Sequence, residues 1–429
     1  MAYWDNGNLR ISDNNNYFLN GDEPFFWLGD TAWLIFANIS EDEAYVYLKN
    51  RADKGYSVIQ ACLVYAVPKM ADINKMPTGR YDVETSKYWE HCDRIVKMAQ
   101  ELGIYMALLP SWGSLLKNNI INMDNASEYA EFLADRYKDY KNIIWVLGGD
   151  IKAAGYEGIY NVMGNLLKEK NPDKLIGFHP FGRCSSTQWF GDAKWLDFNM
   201  FQSGHRRYDQ CEMGAWDDNG DNTSYYGEDN WKYVEHDKKL SDKPTLDAEP
   251  SYELILQGLH DASQPYWMAK DVRRYAYWSV LAGAAGHTYG DNSVMQFFTG
   301  SKDGASYGAK ESWKTAIHHD GSGQMRYLKE LMESVDYVNG KKADELLIGG
   351  QKEKYERVAV FAGNDFLIAY SFLGKSFCID TSCYMGKEVW FMKPATGVYS
   401  YQGIIDSGEF EFKELPCYDD NTDIVVLIK

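Results

Sequence analysis

Between residues 25 and 335 the chain alternates short, nearly continuous apolar runs with longer stretches of helical period. The runs are FFWLGDTAWL (25–34), YSVIQACLVY (56–65), YMALLPSW (105–112), IIWVLGGD (143–150), LIGFHP (175–180), DFNMFQSGH (197–205), PTLDAEPSYE (244–253) and AGHTYGDNS (285–293). Between them, Ser40 and Glu43 have the spacing of a capping box, able to satisfy each other's free backbone donors at a helix start. Tyr88, Cys92, Ile95, Ala99 and Leu102 recur at helical period until Gly103 ends the segment. Tyr129, Leu133, Tyr137 and Tyr140 repeat the pattern before the fourth run, as do Val272, Ala276 and Val280 before the eighth. Apolar strands separated by helices predict a parallel sheet covered on its outer face. Eight such units in roughly 300 residues fit a (β/α)8 TIM barrel better than an open doubly wound sheet. No GxGxxG or GxxxxGK[ST] follows a run, so no nucleotide-binding fold is indicated.

Near residue 340 the rhythm shortens. YERVAVFA, FLIAYSFL, SFCIDTS, EVWFMKP, GEFEFKE and DIVVLIK follow one another, parted by turns such as GND and PATG. Short alternating strands of this kind predict a small all-β sandwich. The expected organisation is therefore a barrel over residues 1–337, with a short N-terminal β segment, and a sandwich over 338–429. The sandwich has few clustered ionisable groups, which suits support or ligand binding rather than chemistry.

Charge and cysteine content narrow the partners. Against 44 basic residues stand 62 acidic ones, a net charge of −18. A nucleic acid or an anionic membrane surface would be repelled, so neither is expected as a partner. The seven cysteines are scattered and form no CxxC pair, which speaks against a disulfide framework or a zinc cluster. MAYWDNGNLRIS has no basic segment followed by an apolar one, and no run reaches membrane-spanning length. A cytoplasmic location is the expectation, with export of a chain whose leader is absent here as the alternative. The 32 tyrosines and 14 tryptophans serve either a large core or flat platforms for sugar rings.

In a (β/α)8 barrel the chemistry gathers where the strands end. The first run delivers Asp30 and Trp33, the second Gln60 and Tyr65, the third Ser111 and Trp112. The fourth gives Asp150, the fifth His179, the sixth Gln202, Ser203 and His205. The seventh brings Asp247, Glu249 and Tyr252, the eighth His287, Tyr289 and Asp291. Polar and aromatic groups after an apolar body describe a rim suited to a polyhydroxylated ligand. Asp150 follows two glycines, and Glu249 is fixed by Pro250. Two carboxyl groups across a sugar-sized gap are the minimum equipment for cleaving a glycosidic bond. The charge of one raises the proton affinity of the other, which keeps the acid protonated. Asp30 at its strand–helix junction reads better as a helix cap, and Asp247 as a group that orients a neighbour rather than reacts.

PFFWLGDTAWLIF (24–36), IIWVLGGD, WLDFNMFQSGH (195–205), LDAEPSYE (246–253) and AGHTYG (285–290) together resemble the apiosidase-like glycoside hydrolases, glycoside hydrolase family 140. VWFMKPATGVY (389–399) resembles the small sandwich that follows the barrel there, often labelled a collagen-binding domain. The resemblance implies a retaining mechanism with Asp150 as acid/base and Glu249 as nucleophile, and action on pectic oligosaccharides with release of apiose. It also implies that Gly148 and Gly149 open the innermost sugar subsite beside a short acid. Related barrel glycosidases usually carry Asn-Glu where this chain has Gly149-Asp150. Asp30, Trp33, Gln60, Trp112, His179, Gln202, His205, Tyr252, Tyr289 and Asp291 are the expected sugar-binding residues. No metal and no other cofactor is expected; a carbohydrate is the expected partner, and the oligomeric state is left open. The rival readings are a non-catalytic carbohydrate-binding barrel, an inverting glycosidase of other specificity, and a metal-dependent hydrolase built on His179, His205, His287 and Asp150.

Overall fold

The computed structural model describes residues 2–65, 86–210, 227–301, 305–413 and 422–429. Each of the eight apolar runs holds one parallel strand: β1 (Trp27–Thr31), β2 (Val58–Cys62), β3 (Tyr105–Leu109), β4 (Ile143–Ile151), β5 (Ile176–Pro180), β6 (Asn199–Gln202), β7 (Thr245–Asp247) and β8 (Gly286–Tyr289). Ladders join them in the order β5-β4-β3-β2-β1-β8-β7-β6. The seam lies between β5 and β6. There the Asp197 N–H donates to the Ile176 carbonyl at 2.8 Å, and a two-residue strand, Cys184–Ser185, pairs antiparallel with β6.

Helices cover the outside of this barrel as the sequence spacing predicts. Helix Glu41–Asp53 opens on the Ser40/Glu43 capping box, and Ser86–Glu101, Ala126–Tyr137 and Ala269–Leu281 occupy the other periodic stretches. Before the barrel, Leu9–Ile11, Phe18–Asn20 and Glu23–Phe25 form a small antiparallel sheet. Phe18 packs on Trp27 and Phe198, and Asn20 donates to the Tyr105 hydroxyl at 2.6 Å. These contacts lie where the strands begin, so the sheet closes that end of the barrel and leaves the carboxyl ends for the site.

The C-terminal region is two antiparallel sheets. One joins Lys341–Lys342, Val358–Ala362, Leu367–Ser371, Ile424–Ile428, Glu388–Lys393 and Val398–Ile404; the other joins Leu347–Gly349, Phe377–Asp380 and Glu409–Phe412. The central strands are buried on both faces. Val358, Val360, Leu367, Ala369 and Val426 face the sandwich core with Phe377, Ile379 and Phe412, whereas Phe361, Ile368, Tyr370, Val425 and Leu427 join the core of the barrel. Among the described residues no helix is long and apolar enough to cross a membrane.

Candidate active site

Strand β4 ends in backbone that few residues tolerate. Gly148 (φ +103°), Gly149 (φ +96°) and Asp150 (φ +47°) all lie at positive φ, where a side chain is strained and glycine is not. The β4–β5 pairing slips between Gly148 and Ile151, a bulge that turns Asp150 out of the ladder. Space also demands the glycines. A Cβ on Gly148 would lie 2.1 Å from the His179 carbonyl oxygen, and one on Gly149 2.9 Å from the Trp112 ring. The expectation that they clear room for the sugar is thus corrected: they let the chain turn and pack against His179 and Trp112. That packing aims Asp150 at the barrel mouth.

Glu249 stands opposite, two residues past the end of β7. Its Oε1 is 3.1 Å from Nε2 of His205, and its Oε2 is 3.2 Å from Nε2 of His179. One carboxylate oxygen each from Asp150 and Glu249 and one ring nitrogen of His179 all lie within 4.8 Å of one another. Among the described residues this is the grouping able to offer three ligand atoms to a cation, yet both Glu249 oxygens already face imidazole nitrogens.

The two carboxyl groups are driven apart in proton affinity. Burial, and then the negative charge of Glu249, raises Asp150 to about 6; His179, a hydrogen bond with Gln202, and His205 pull against that rise. Burial would raise Glu249 as well. The contacts with His179 and His205 outweigh it and hold the carboxyl down, to about 2. One group keeps its proton into mildly acidic solution, where the other is already ionised, the division of labour an acid and a nucleophile require.

Around the pair lies a cavity of about 190 Å³. Trp33, Tyr65, Trp112, Gln202, His205 and Tyr252 line it beside Asp150 and Glu249. The Trp33 indole N–H donates to the Tyr252 hydroxyl at 3.1 Å, and Trp33 also meets Trp112 and His179 edge to face. Of the expected sugar-binding residues the structure therefore brings Trp33, Trp112, Gln202, His205 and Tyr252 to the wall, with His179 directly behind Glu249.

Four expectations are corrected. Asp30 is sequestered outside the barrel lumen, its Oδ2 accepting from Arg51 Nε at 2.5 Å and from the Tyr47 hydroxyl at 2.6 Å. Gln60 is fully buried and donates to the Ala248 carbonyl at 2.8 Å, beneath the site. The Tyr289 hydroxyl donates to Glu253, and Asp291 caps helix Asn292–Met295 while its other oxygen meets His319 Nδ1 at 2.6 Å. None of the four lines the cavity. His287 is likewise fully buried away from it.

The wall also contains residues that strand-end reading did not choose. Phe181, Gly182 and Arg183 come from the turn after β5, Arg206 follows His205, and Ile255, Leu259 and His260 follow β7. Met295 and Tyr307 belong to the segment after β8. Loops have no period to read. The one available signal was charge: two arginines, Arg206 and Arg207, directly after the polar end of the sixth run. The long polar segment 206–231 follows that run directly. Arg206 lines the cavity, helix Asn230–Leu240 begins within the segment, and residues 211–226 lie outside the described residues.

A (β/α)8 barrel holding an opposed acid and carboxylate at the floor of an aromatic-walled cavity belongs to the class of glycoside hydrolases. Comparison with known proteins agrees. Residues 12–339 match the family described as "Apiosidase-like, catalytic domain", and residues 343–429 match "Putative collagen-binding domain of a collagenase". A solved structure titled "Glycoside hydrolase" is 38% identical with a TM-score of 0.93, over 100% of this chain and 98% of that one. A glycoside hydrolase family 5 structure from Bacteroides vulgatus ATCC 8482 is 37% identical with a TM-score of 0.92, covering 100% of this chain and 95% of that one. The endo-1,4-beta-D-mannanase of Thermotoga petrophila RKU-1 shares the fold alone, at 13% identity and a TM-score of 0.51 over 72% of this chain and 100% of its own. A search of curated proteins gives no significant match. The chain belongs to the apiosidase-like family, and it is a glycosidase with a carbohydrate substrate.

Proposed function

We propose that the protein cleaves glycosidic bonds of pectic oligosaccharides with retention of configuration, releasing apiose. The observation that carries the mechanism is the approach of the two carboxyl groups to within 4.8 Å, with opposite shifts in proton affinity. Direct attack by a carboxylate suits carboxyl groups about 5–5.5 Å apart, whereas seating a water between them takes roughly 6.5–9.5 Å. Glu249, held ionised by the two imidazoles, attacks the anomeric carbon. Asp150 gives its proton to the departing oxygen. A glycosyl–Glu249 ester results, and Asp150, now ionised, takes a proton from the water that opens it.

Trp33 and Trp112 offer ring faces to the sugar, while Gln202, His205 and Tyr252 meet its hydroxyls. The pectic reading rests on the family likeness, and two buried arginines in the wall, Arg183 and Arg206, suit a substrate bearing carboxylates. Sugar release from a panel of pectic side chains and simple glycosides tests the reading, with Glu249→Gln run beside the wild type. Apiose released by the wild type and not by the variant is the expected result. A different sugar overturns the substrate, and undiminished release by Glu249→Gln overturns the mechanism.

A further inference from the structure

Asp247 is fully buried, takes no part in the steps above, and shares β7 with the start of the segment that presents Glu249. Its carboxylate is a knot between two strand ends. Oδ1 accepts from the Ser203 backbone N–H at 3.2 Å; Oδ2 accepts from the Ser203 hydroxyl at 2.6 Å and from Asn230 Nδ2 at 3.1 Å. The Glu249 backbone N–H also donates to it. These partners are all uncharged. Burial without a cation in contact raises the group to about 7 despite those hydrogen bonds, an electrostatic cost that a purely packing role would avoid by using an apolar residue.

The positions of the donors give that cost a use. Ser203 lies two residues before His205, and Glu249 two residues after Asp247. The same two segments are joined again just above, where the Gly204 N–H donates to the Glu249 carbonyl at 3.0 Å and the Ser251 hydroxyl donates to the Gly204 carbonyl at 2.9 Å. Asn230 ties the knot outward to the helix layer by donating also to the Tyr275 carbonyl at 2.8 Å. The two bonds from Ser203 to this carboxylate thus tie the backbone carrying His205 to the segment carrying Glu249, whose side chains meet at 3.1 Å.

We infer that Asp247 is a positioning residue for the reaction: by clamping Ser203 and the Glu249 amide it holds His205 against Glu249 and so keeps the nucleophile ionised and aimed. The inference rests on Glu249 being the nucleophile. Among the described residues the groups that face Glu249 are Asp150 from β4, His179 from β5, His205 after β6 and Tyr252 beyond β7, with the Tyr65 and Tyr307 phenols across the cavity. Loosening the knot disturbs the His205 contact and leaves Asp150 and His179 on their own strands.

The test is a comparison of Asp247→Ala and Asp247→Asn with the wild type, measuring kcat, KM, the acid limb of the kcat/KM profile and thermal unfolding. The expected result is a fall in kcat of about tenfold to a hundredfold with KM within threefold, the scale of a small misplacement of a reacting group. The acid limb should move to higher pH by about one unit as Glu249 loses part of what holds it ionised. Asp247→Asn keeps the shape but replaces an acceptor with a donor facing other donors, so it should show a smaller shift in the same direction. It decides the matter should Asp247→Ala not fold. Folded variants with lower thermal stability, wild-type kcat and an unmoved acid limb would overturn the inference and leave Asp247 a structural group. Glu249→Gln is measured in parallel. Full activity there would overturn the nucleophile assignment itself, whereas an inactive Glu249→Gln beside unaltered Asp247 variants would overturn the positioning role alone.

Discussion

At the scale of single residues, the site works by giving two similar groups different surroundings. Asp150 has burial and a neighbouring negative charge, while Glu249 has two imidazole nitrogens within 3.2 Å. A pH consequence follows with its sign fixed. In the proposed mechanism Asp150 must carry a proton to release the leaving group, so kcat/KM should fall as pH rises through its raised value near 6. As the proposed nucleophile Glu249 must be ionised, and with its carboxyl held down to about 2 the acid limb should lie well below the ordinary range for glutamate. A pH–rate profile with its optimum between those limbs is expected; a profile flat through neutrality and falling only in acid would contradict the assignment. Asp150→Asn should lower the rate on a natural glycoside by about 10²–10⁴-fold. On an aryl glycoside whose leaving group needs no proton the loss should be much smaller, and equal losses on both would remove Asp150 from its role.

At the scale of elements, β4 shows both what the sequence made legible and what it hid. The run IIWVLGGD announced a buried strand with a polar end, and Asp150 and Glu249 were readable because strand ends in a barrel meet at one face. The cause of the two glycines was not readable, because the obstacles are the His179 carbonyl on β5 and the Trp112 ring just after β3. The same limit explains the corrected residues. Asp30 and Tyr289 point outward, where Arg51 and Glu253 receive them, and those partners lie 21 and 36 residues away in sequence. No local pattern encodes such a pairing. Gly148→Ala should therefore be damaging twice over, by positive φ and by collision with backbone. A loss of more than about 1 kcal/mol in urea unfolding is expected, with a fall in activity as Asp150 is displaced. Unchanged stability would show that the bulge tolerates a side chain.

At the scale of the whole molecule, helix Ala269–Leu281 joins the two halves. It is buried along both sides because one faces the barrel and the other the sandwich. Tyr277 stacks on Tyr370 with centroids 4.6 Å apart, and Arg273 makes paired 2.8 Å bonds with both oxygens of Asp423. Arg274 meets Glu228 at 2.7 Å within a ring of aromatics that includes Trp278 from the helix and Tyr355 and Phe372 from the C-terminal region. The alternating sequence made the sandwich itself legible; its second buried face was not, since apolar residues on both faces of a strand look the same whichever body they touch. Asp423→Ala strands Arg273 in this interface and should cost about 3–5 kcal/mol, seen as a lower urea midpoint. A loss below about 1 kcal/mol, the scale of an exposed pair, would mean that the interface is wetter than its packing indicates.

The central claim is that Glu249 attacks carbon and Asp150 serves it as acid and then base. The most direct measurement is proton NMR of the first-formed sugar, recorded before its anomers equilibrate, on a substrate that the enzyme cleaves. The account predicts a product with the anomeric configuration of the bond that was broken. A first-formed product of the opposite configuration would contradict it, since inversion requires a water where Glu249 and Asp150 stand within 4.8 Å of each other.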